Sequence, residues 1–270
     1  MELTFELILG FIALGAGAGF LAGLLGIGGG GYLVPILTLI FICCGISEEN
    51  ALHLALGTTM ASIVFTTLSS MLSQQKRGGI LWDIVKVMAP GVIIGTLFST
   101  YIASKTNSLY LAIIFIIFMS YVAYTMFRDK KPKPSRTVLP KPILFTTAGG
   151  IGGISGLVSI AGGALTVPFL IWQNIDVKKA IGTSSAIGFF LTVSGAIGYM
   201  MNGINSTNSL ELEWTIGYVY FPAVFFISIV SFFVAPLGVK LMYTLPTGII
   251  KKIFGLLSIV LGLKMLYWII

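Results

Sequence analysis

An all-α polytopic membrane protein is the fold class this sequence predicts: two inverted-topology repeats of about five hydrophobic segments each, with glycine-broken or re-entrant helices at the centre. Three observations lead there. Of the 270 residues 56% are hydrophobic and 9% charged, with a mean hydropathy of +1.01, whereas a soluble domain carries roughly 25% charged residues. Apolar runs return at about the 20-residue length that crosses a hydrocarbon core of about 30 Å. The chain also repeats itself, and its basic residues gather in alternate loops.

Taken in order, the apolar segments of the first half are 4–26, 31–46, 51–72, 80–103 and 108–127, and those of the second are 143–160, 164–174, 180–201, 214–239 and 247–269. The opening "MELTFELILGF" places Glu2 and Glu6 where a cleavable signal would carry lysine or arginine, so it reads as a retained first span. The longest polar stretch, Arg128 to Pro142, is too short and too rich in proline to bury a core and reads as an extended linker. These boundaries divide the chain into an N-terminal repeat (1–127), a basic cytoplasmic linker (128–142) and a C-terminal inverted repeat (143–270). The segment "ALTVPFLIWQ" from Ala164 is short for a full crossing and reads as a re-entrant or half-membrane helix.

The duplication is read directly. "GFLAGLLGIGGGGYLVPIL" from Gly19 aligns without gaps on "GGISGLVSIAGGALTVPFL" from Gly152, with nine of nineteen positions identical at an offset of 133. Further on, "ALGTTMA" from Ala55 matches "AIGTSSA" from Ala180, and Trp82 and Pro90 match Trp214 and Pro222 at an offset of 132. Such self-similarity marks a repeated structural unit.

Five crossings per half would turn the second repeat upside down, and the charges test this. With five plus five segments, one face receives 13 basic residues, from Lys76 and Arg77 through the linker to Lys178, Lys179, Lys240, Lys251 and Lys252, while the other receives only Lys105. With four plus four the same residues divide 8 against 6. Basic residues favour the cytoplasmic side, so the biased arrangement is preferred. It places the linker in the cytoplasm and both termini outside a plasma (inner) membrane.

Glycine costs about 1 kcal/mol in a helix interior relative to alanine, and broken backbone inside a bilayer must face protein, water or ligand. Matching glycine-interrupted segments in two inverted halves point to a transporter's binding site. Gly28, Gly29, Gly30 and Gly31, with Gly162 and Gly163, are therefore candidate substrate contacts: a ligand can approach their backbone, and the helix starts that follow favour an anion. The paired hydroxyls of Thr58, Thr59, Thr183, Ser184 and Ser185 are candidate donors to the same anion, with interhelical or backbone hydrogen bonding as their alternative role. Gly15, Gly19, Gly152 and Gly156 read as helix-packing glycines, with Gly15→Ala expected to be mild.

These paired glycine-rich segments followed by "VPIL" and "VPFL", then by "GTT" and "GTSS", resemble the TauE/SafE sulfite exporter family of membrane permeases over nearly the whole chain. The resemblance implies transport of sulfite, organosulfonates or related sulfur anions. A passive anion channel and a carrier of a non-sulfur anion stay open. No lysine or arginine falls within the glycine-rich segments, so compensation of an anion's charge falls to backbone dipoles and hydroxyls.

Other classes fit poorly. The net charge of +7 sits at segment ends, where lipid headgroups account for it, so nucleic acid is not expected as a partner. Cys43 and Cys44 are adjacent and unsuited to pairing with each other. A single histidine, His53, and the lack of a CxxC pair leave no metal cluster, no cofactor and no catalytic set in prospect. His53 opens the third segment and aligns with Lys178; a residue at headgroup level is its plain reading. The expected partners are a small anionic substrate and the lipid bilayer, with a homo-oligomer left open.

Overall fold

The computed structural model describes residues 3–26, 28–127, 139–207, 213–244 and 246–269. Among them are ten helices, one for each expected segment: α1 (Phe5–Leu25), α2 (Gly30–Cys43), α3 (Glu48–Lys76), α4 (Trp82–Lys105), α5 (Ser108–Phe127), α6 (Lys141–Leu157), α7 (Gly163–Trp172), α8 (Val177–Thr207), α9 (Phe221–Thr244) and α10 (Thr247–Ile269). Six helices are long and apolar enough to cross a membrane, and α2 and α7 are shorter apolar helices. The protein is an all-α polytopic membrane protein. Most of the linker, residues 128–138, lies outside the described residues.

Small residues set the packing. A methyl group on Gly15 would lie 2.6 Å from the Ile227 carbonyl oxygen and one on Gly19 2.6 Å from that of Ser231, while one on Gly23 would collide with Ala235. Partners that rise together in both sequences mean that α1 and α9 run parallel. The corresponding helices α4 and α6 do the same, with Gly91 against Phe145 and Gly95 against Gly149. Gly15, Gly19, Gly152 and Gly156 are thus packing glycines, but alanine at Gly15 meets backbone and would not be mild.

The two longest helices lie at the centre. α3 and α8 cross antiparallel, because Met60 meets Gly195, Thr67 meets Thr192 and Ser70 meets Ser185. Beside them α3 runs parallel to α9, linked by Ser62 to Ser228, Thr66 to Ser231 and Ser69 to Phe232. Counterpart contacts join α8 to α4, where Leu81 meets Thr183 and Asn202 meets Thr100. Hydroxyls on these helices thus bond one another, a facing amide or a facing backbone group.

One segment departs from its sequence reading. The run 214–239 does not begin as a helix: Trp214 has φ +63°, and Thr215–Ile216 (β1) pairs antiparallel with Val219–Tyr220 (β2) before α9 starts at Phe221. β-branched and aromatic residues around Gly217, which has φ +55°, suit a two-residue hairpin turn. Trp82, in contrast, is the first residue of α4. The helices therefore correspond at an offset of 139, and the match of Trp82 and Pro90 with Trp214 and Pro222 does not mark equivalent places.

The charged ends also segregate. Arg77 and Lys178 both approach the Tyr243 ring, at 4.9 and 5.2 Å, and the Leu139 N–H donates to Gln173 Oε1, which ties the start of α6 to the end of α7 nearby. At the opposite end His53, Ala103 and Thr106 meet. His53 is buried against protein at these helix ends. One ring nitrogen lies 3.0 and 3.1 Å from the carbonyl oxygens of Ala103 and Thr106, the other 3.0 Å from the Glu49 carbonyl and 3.1 Å from the Ser108 hydroxyl. His53 thus ties α3 to the carbonyl end of α4 and the start of α5.

Candidate substrate site at two meeting helix breaks

The interruptions in the two halves share two left-handed positions, and the first has a third, Gly28 (φ +76°), that the second lacks. α1 ends in a left-handed Gly26 (φ +69°), and α2 starts after a left-handed Gly29 (φ +77°). α6 ends before a left-handed Ser159 (φ +51°), and α7 starts after a left-handed Gly162 (φ +74°). Each position matches its counterpart at the offset of 133 that the sequence alignment uses. Left-handed backbone favours glycine, so Ser159 is the unusual member.

The breaks lie against each other. A methyl group on Gly28 would collide with the Cβ of Ala161, its own counterpart, and one on Gly30 would collide with the Ser159 carbonyl oxygen. One on Gly29 would lie 2.7 Å from the Ala18 carbonyl oxygen; at Gly31 the nearest group is the Met119 methyl, at 3.3 Å. Close approach at Gly28, Gly29 and Gly30 is thus made by protein. What the breaks leave for a ligand is their N–H groups. Neither α2 nor α7 has a side-chain N-cap, and the N-terminal residues Gly30, Gly31, Gly163 and Ala164 are buried. The first N–H groups of a helix have no intrahelical acceptor, and with the helix dipole they favour an anion.

The Gly-Thr motif has a definite structural use. A methyl group on Gly57 would collide with the Tyr218 carbonyl, and one on Gly182 with the Gly79 carbonyl. Next to them, the Tyr220 N–H donates to Thr58 Oγ1 and the Leu81 N–H to Thr183 Oγ1, both at 3.0 Å. Each half thus holds the start of the other half's fourth helix. Glycine lets the loop approach, and threonine accepts its N–H.

The remaining candidate hydroxyls divide. Ser184 Oγ lies 3.5 Å from the Gly26 carbonyl, Ser185 Oγ donates to the Ile181 carbonyl and receives a bond from Ser70, and the buried Thr59 hydroxyl has no partner. Four further buried hydroxyls without a partner escaped the sequence reading: Ser155, Ser159, Thr166 and Thr215. For Ser155 and Thr166 a signal was available in the aligned halves, where Ala22 and Leu33 take their places. Among the described residues, no three His, Cys, Asp or Glu come together as metal donors.

Ten helices among the described residues, six of them long and apolar enough to cross a membrane and two short ones starting at buried breaks, make a polytopic membrane protein. The sulfite exporter TauE/SafE family model matches residues 11–265, and the chain belongs to that family. A probable membrane transporter protein of Haemophilus influenzae is 36% identical over 97% of this chain and 98% of its own. Similar proteins from Methanocaldococcus jannaschii (28% identical, covering 96% of this chain and 94% of the relative) and Bacillus subtilis, where it is named YunE (24%, covering 95% and 96%), are also described as probable membrane transporters. No solved structure matches the chain.

Proposed function

We propose that this protein is a secondary transporter carrying a small sulfur-containing anion, such as sulfite or an organosulfonate, by alternating access to one central site. The observation that carries this reading is the pair of uncapped, buried helix N-termini at the meeting breaks, led by Gly29 and Gly162. N–H groups that neither lipid nor a side chain satisfies are costly, and an anion offsets that cost. Gly30, Gly31 and Gly163 offer backbone to it; Thr59, Ser184 and Ser185 lie on the central helices beside it; Thr58 and Thr183 position the helices around it. Gly28 acts by letting the breaks meet.

Sulfur as the central atom rests on the family's description. The inverted arrangement is supported by the antiparallel crossing of α3 and α8 and by α1 pairing with α9 as α6 pairs with α4. Exchanging the two halves' conformations would open one site to opposite faces. Charge bias orients the repeats (1–127 and 143–270), with the linker cytoplasmic and both termini outside. Transport, rather than catalysis, is the activity.

The test is uptake of ³⁵S-sulfite into proteoliposomes, with and without trapped unlabelled sulfite. Trans-stimulated, saturable uptake supports a carrier. Flux proportional to the gradient without exchange would make it a channel. No sulfite flux, with flux of an anion lacking sulfur, would overturn the substrate class.

A further inference from the structure

The two breaks share left-handed backbone at Gly26 and Ser159 and at Gly29 and Gly162, but their side chains differ. At the second, Ser155 and Thr166 are buried to within 1% of full burial, and neither hydroxyl has a partner. Their counterparts in the first half, Ala22 and Leu33, are buried and apolar. A buried hydroxyl without a hydrogen bond is destabilising, and two around one helix start call for a ligand.

Both lie at the start of α7. A methyl group on Gly162, the residue that precedes the helix, would sit 3.5 Å from Ser155 Oγ. Thr166 is one turn into α7, where its N–H donates to the Gly162 carbonyl at 2.8 Å, and helical side chains lean toward the N-terminus. The first N–H groups of α7, from Gly163 and Ala164, complete the set. Thr59 extends it by correspondence: the exchange of halves that carries Ser184 onto Thr59 carries Gly26, which Ser184 faces, onto Ser159.

We propose that the anion site is one-sided in its side chains: at the meeting breaks the substrate takes its hydroxyl donors from the second, Ser155 and Thr166 at the N-terminus of α7, while the first break offers backbone alone. Two hydroxyls and two backbone N–H groups give separate donors to separate acceptor atoms, which suits a compact oxyanion with several oxygens better than a halide. No cation in the set holds the anion, so the site releases it readily, as a carrier requires.

This inference rests on the transporter reading above, and one experiment separates them. Binding of sulfite, thiosulfate and chloride to the purified full-length protein is measured by calorimetry for wild type, Ser155→Ala, Thr166→Val, Thr166→Ser and Thr38→Val. Thr38 is a buried hydroxyl of the first half that donates to the Val34 carbonyl. Loss of a hydrogen bond to an anion should raise the oxyanion Kd about tenfold or more in Ser155→Ala and Thr166→Val. Thr166→Ser should retain wild-type affinity, Thr38→Val should be unchanged, and chloride should bind far more weakly. If Ser155→Ala fails to fold, the Thr166 pair decides. Wild-type oxyanion binding with unchanged Kd in Ser155→Ala and Thr166→Val would overturn the one-sided site and leave the transporter reading standing; absence of oxyanion binding in wild type would overturn both.

Discussion

Thr67 Oγ1 and Thr192 Oγ1 lie 3.1 Å apart where α3 and α8 cross. The offset of 125 that carries Gly57 onto Gly182 also carries Thr67 onto Thr192, so this contact is its own counterpart. Gly28 and Ala161 form a second such pair at the offset of 133, and a methyl group on Gly28 would also lie 3.3 Å from Thr67 Cγ2. The breaks and the central helices therefore meet at one place, which supports the proposed exchange of the two halves.

Because the hydroxyls touch, cysteines in their place should cross-link. Thr67→Cys/Thr192→Cys, in a Cys43→Ser/Cys44→Ser background, should form an intramolecular disulfide under mild oxidant, while Thr67→Cys/Ser185→Cys should do so much less. The readout is mobility on a non-reducing gel after cleavage in the linker. Equal cross-linking of both pairs would refute the register of the crossing.

Thr58 and Thr183 should behave alike, because each accepts the N–H at the start of the other half's fourth helix. Valine there orphans a buried N–H, at about 1 to 3 kcal/mol. Thr58→Val and Thr183→Val should each lower the melting temperature in detergent, and Thr58→Ser and Thr183→Ser should restore it. Unchanged melting with weakened sulfite binding would return these hydroxyls to direct ligand contact.

Much of this architecture was legible in the sequence because hydrophobic length and glycine breaks are local signals. The ten segments, and the matched turns at Gly29 and Gly162, follow from them. The hairpin before α9 was hidden: Trp214 and Pro222 resemble Trp82 and Pro90 in spacing, and seven residues of β-prone sequence read as apolar span. The use of Gly57-Thr58 was also hidden, since its partners Tyr218 and Tyr220 lie some 160 residues away. Ser155 and Thr166 differ between the halves, so the residues that the repeats share do not point to them.

Glycine tolerance should follow the space around each Cα rather than membership of a stripe. Gly23→Ala collides with the Ala235 carbonyl, whereas nothing lies within 4 Å of a methyl on Gly10. Overpacking of this kind costs about 1 to 3 kcal/mol. Thermal melts should show Gly23→Ala clearly destabilised and Gly10→Ala close to wild type; equal melting temperatures would contradict the α1–α9 packing.

His53 should matter through its hydrogen bonds. His53→Leu leaves the Ala103 and Thr106 carbonyls of the α4 end without their imidazole partner, at a cost of about 1 to 3 kcal/mol per buried group. Reduced melting temperature in His53→Leu, partly restored in His53→Gln, is the expected result. A stable His53→Leu that has lost pH-dependent uptake would instead make His53 a proton carrier.

Orientation can be tested with the native cysteines. Cys43 is exposed at the end of α2, and Cys44 next to it is half-buried. α2 ends beside the hairpin, because Phe41 packs edge-on against Tyr220 with ring centroids 6.0 Å apart. Arg77 and Lys178 lie at the other end of the helices, where Tyr243 brings them together. If the basic end faces the cytoplasm, Cys43 faces outward. An impermeant maleimide should therefore label wild-type protein in intact cells and fail to label Cys43→Ser/Cys44→Ser. Ser135→Cys in that double-serine background should react only after the cells are permeabilised, since the linker joins α5 and α6 at the basic end. The reverse pattern would turn the protein over in the membrane, and labelling of Cys43 and Ser135→Cys from the same side would overturn the inverted arrangement itself.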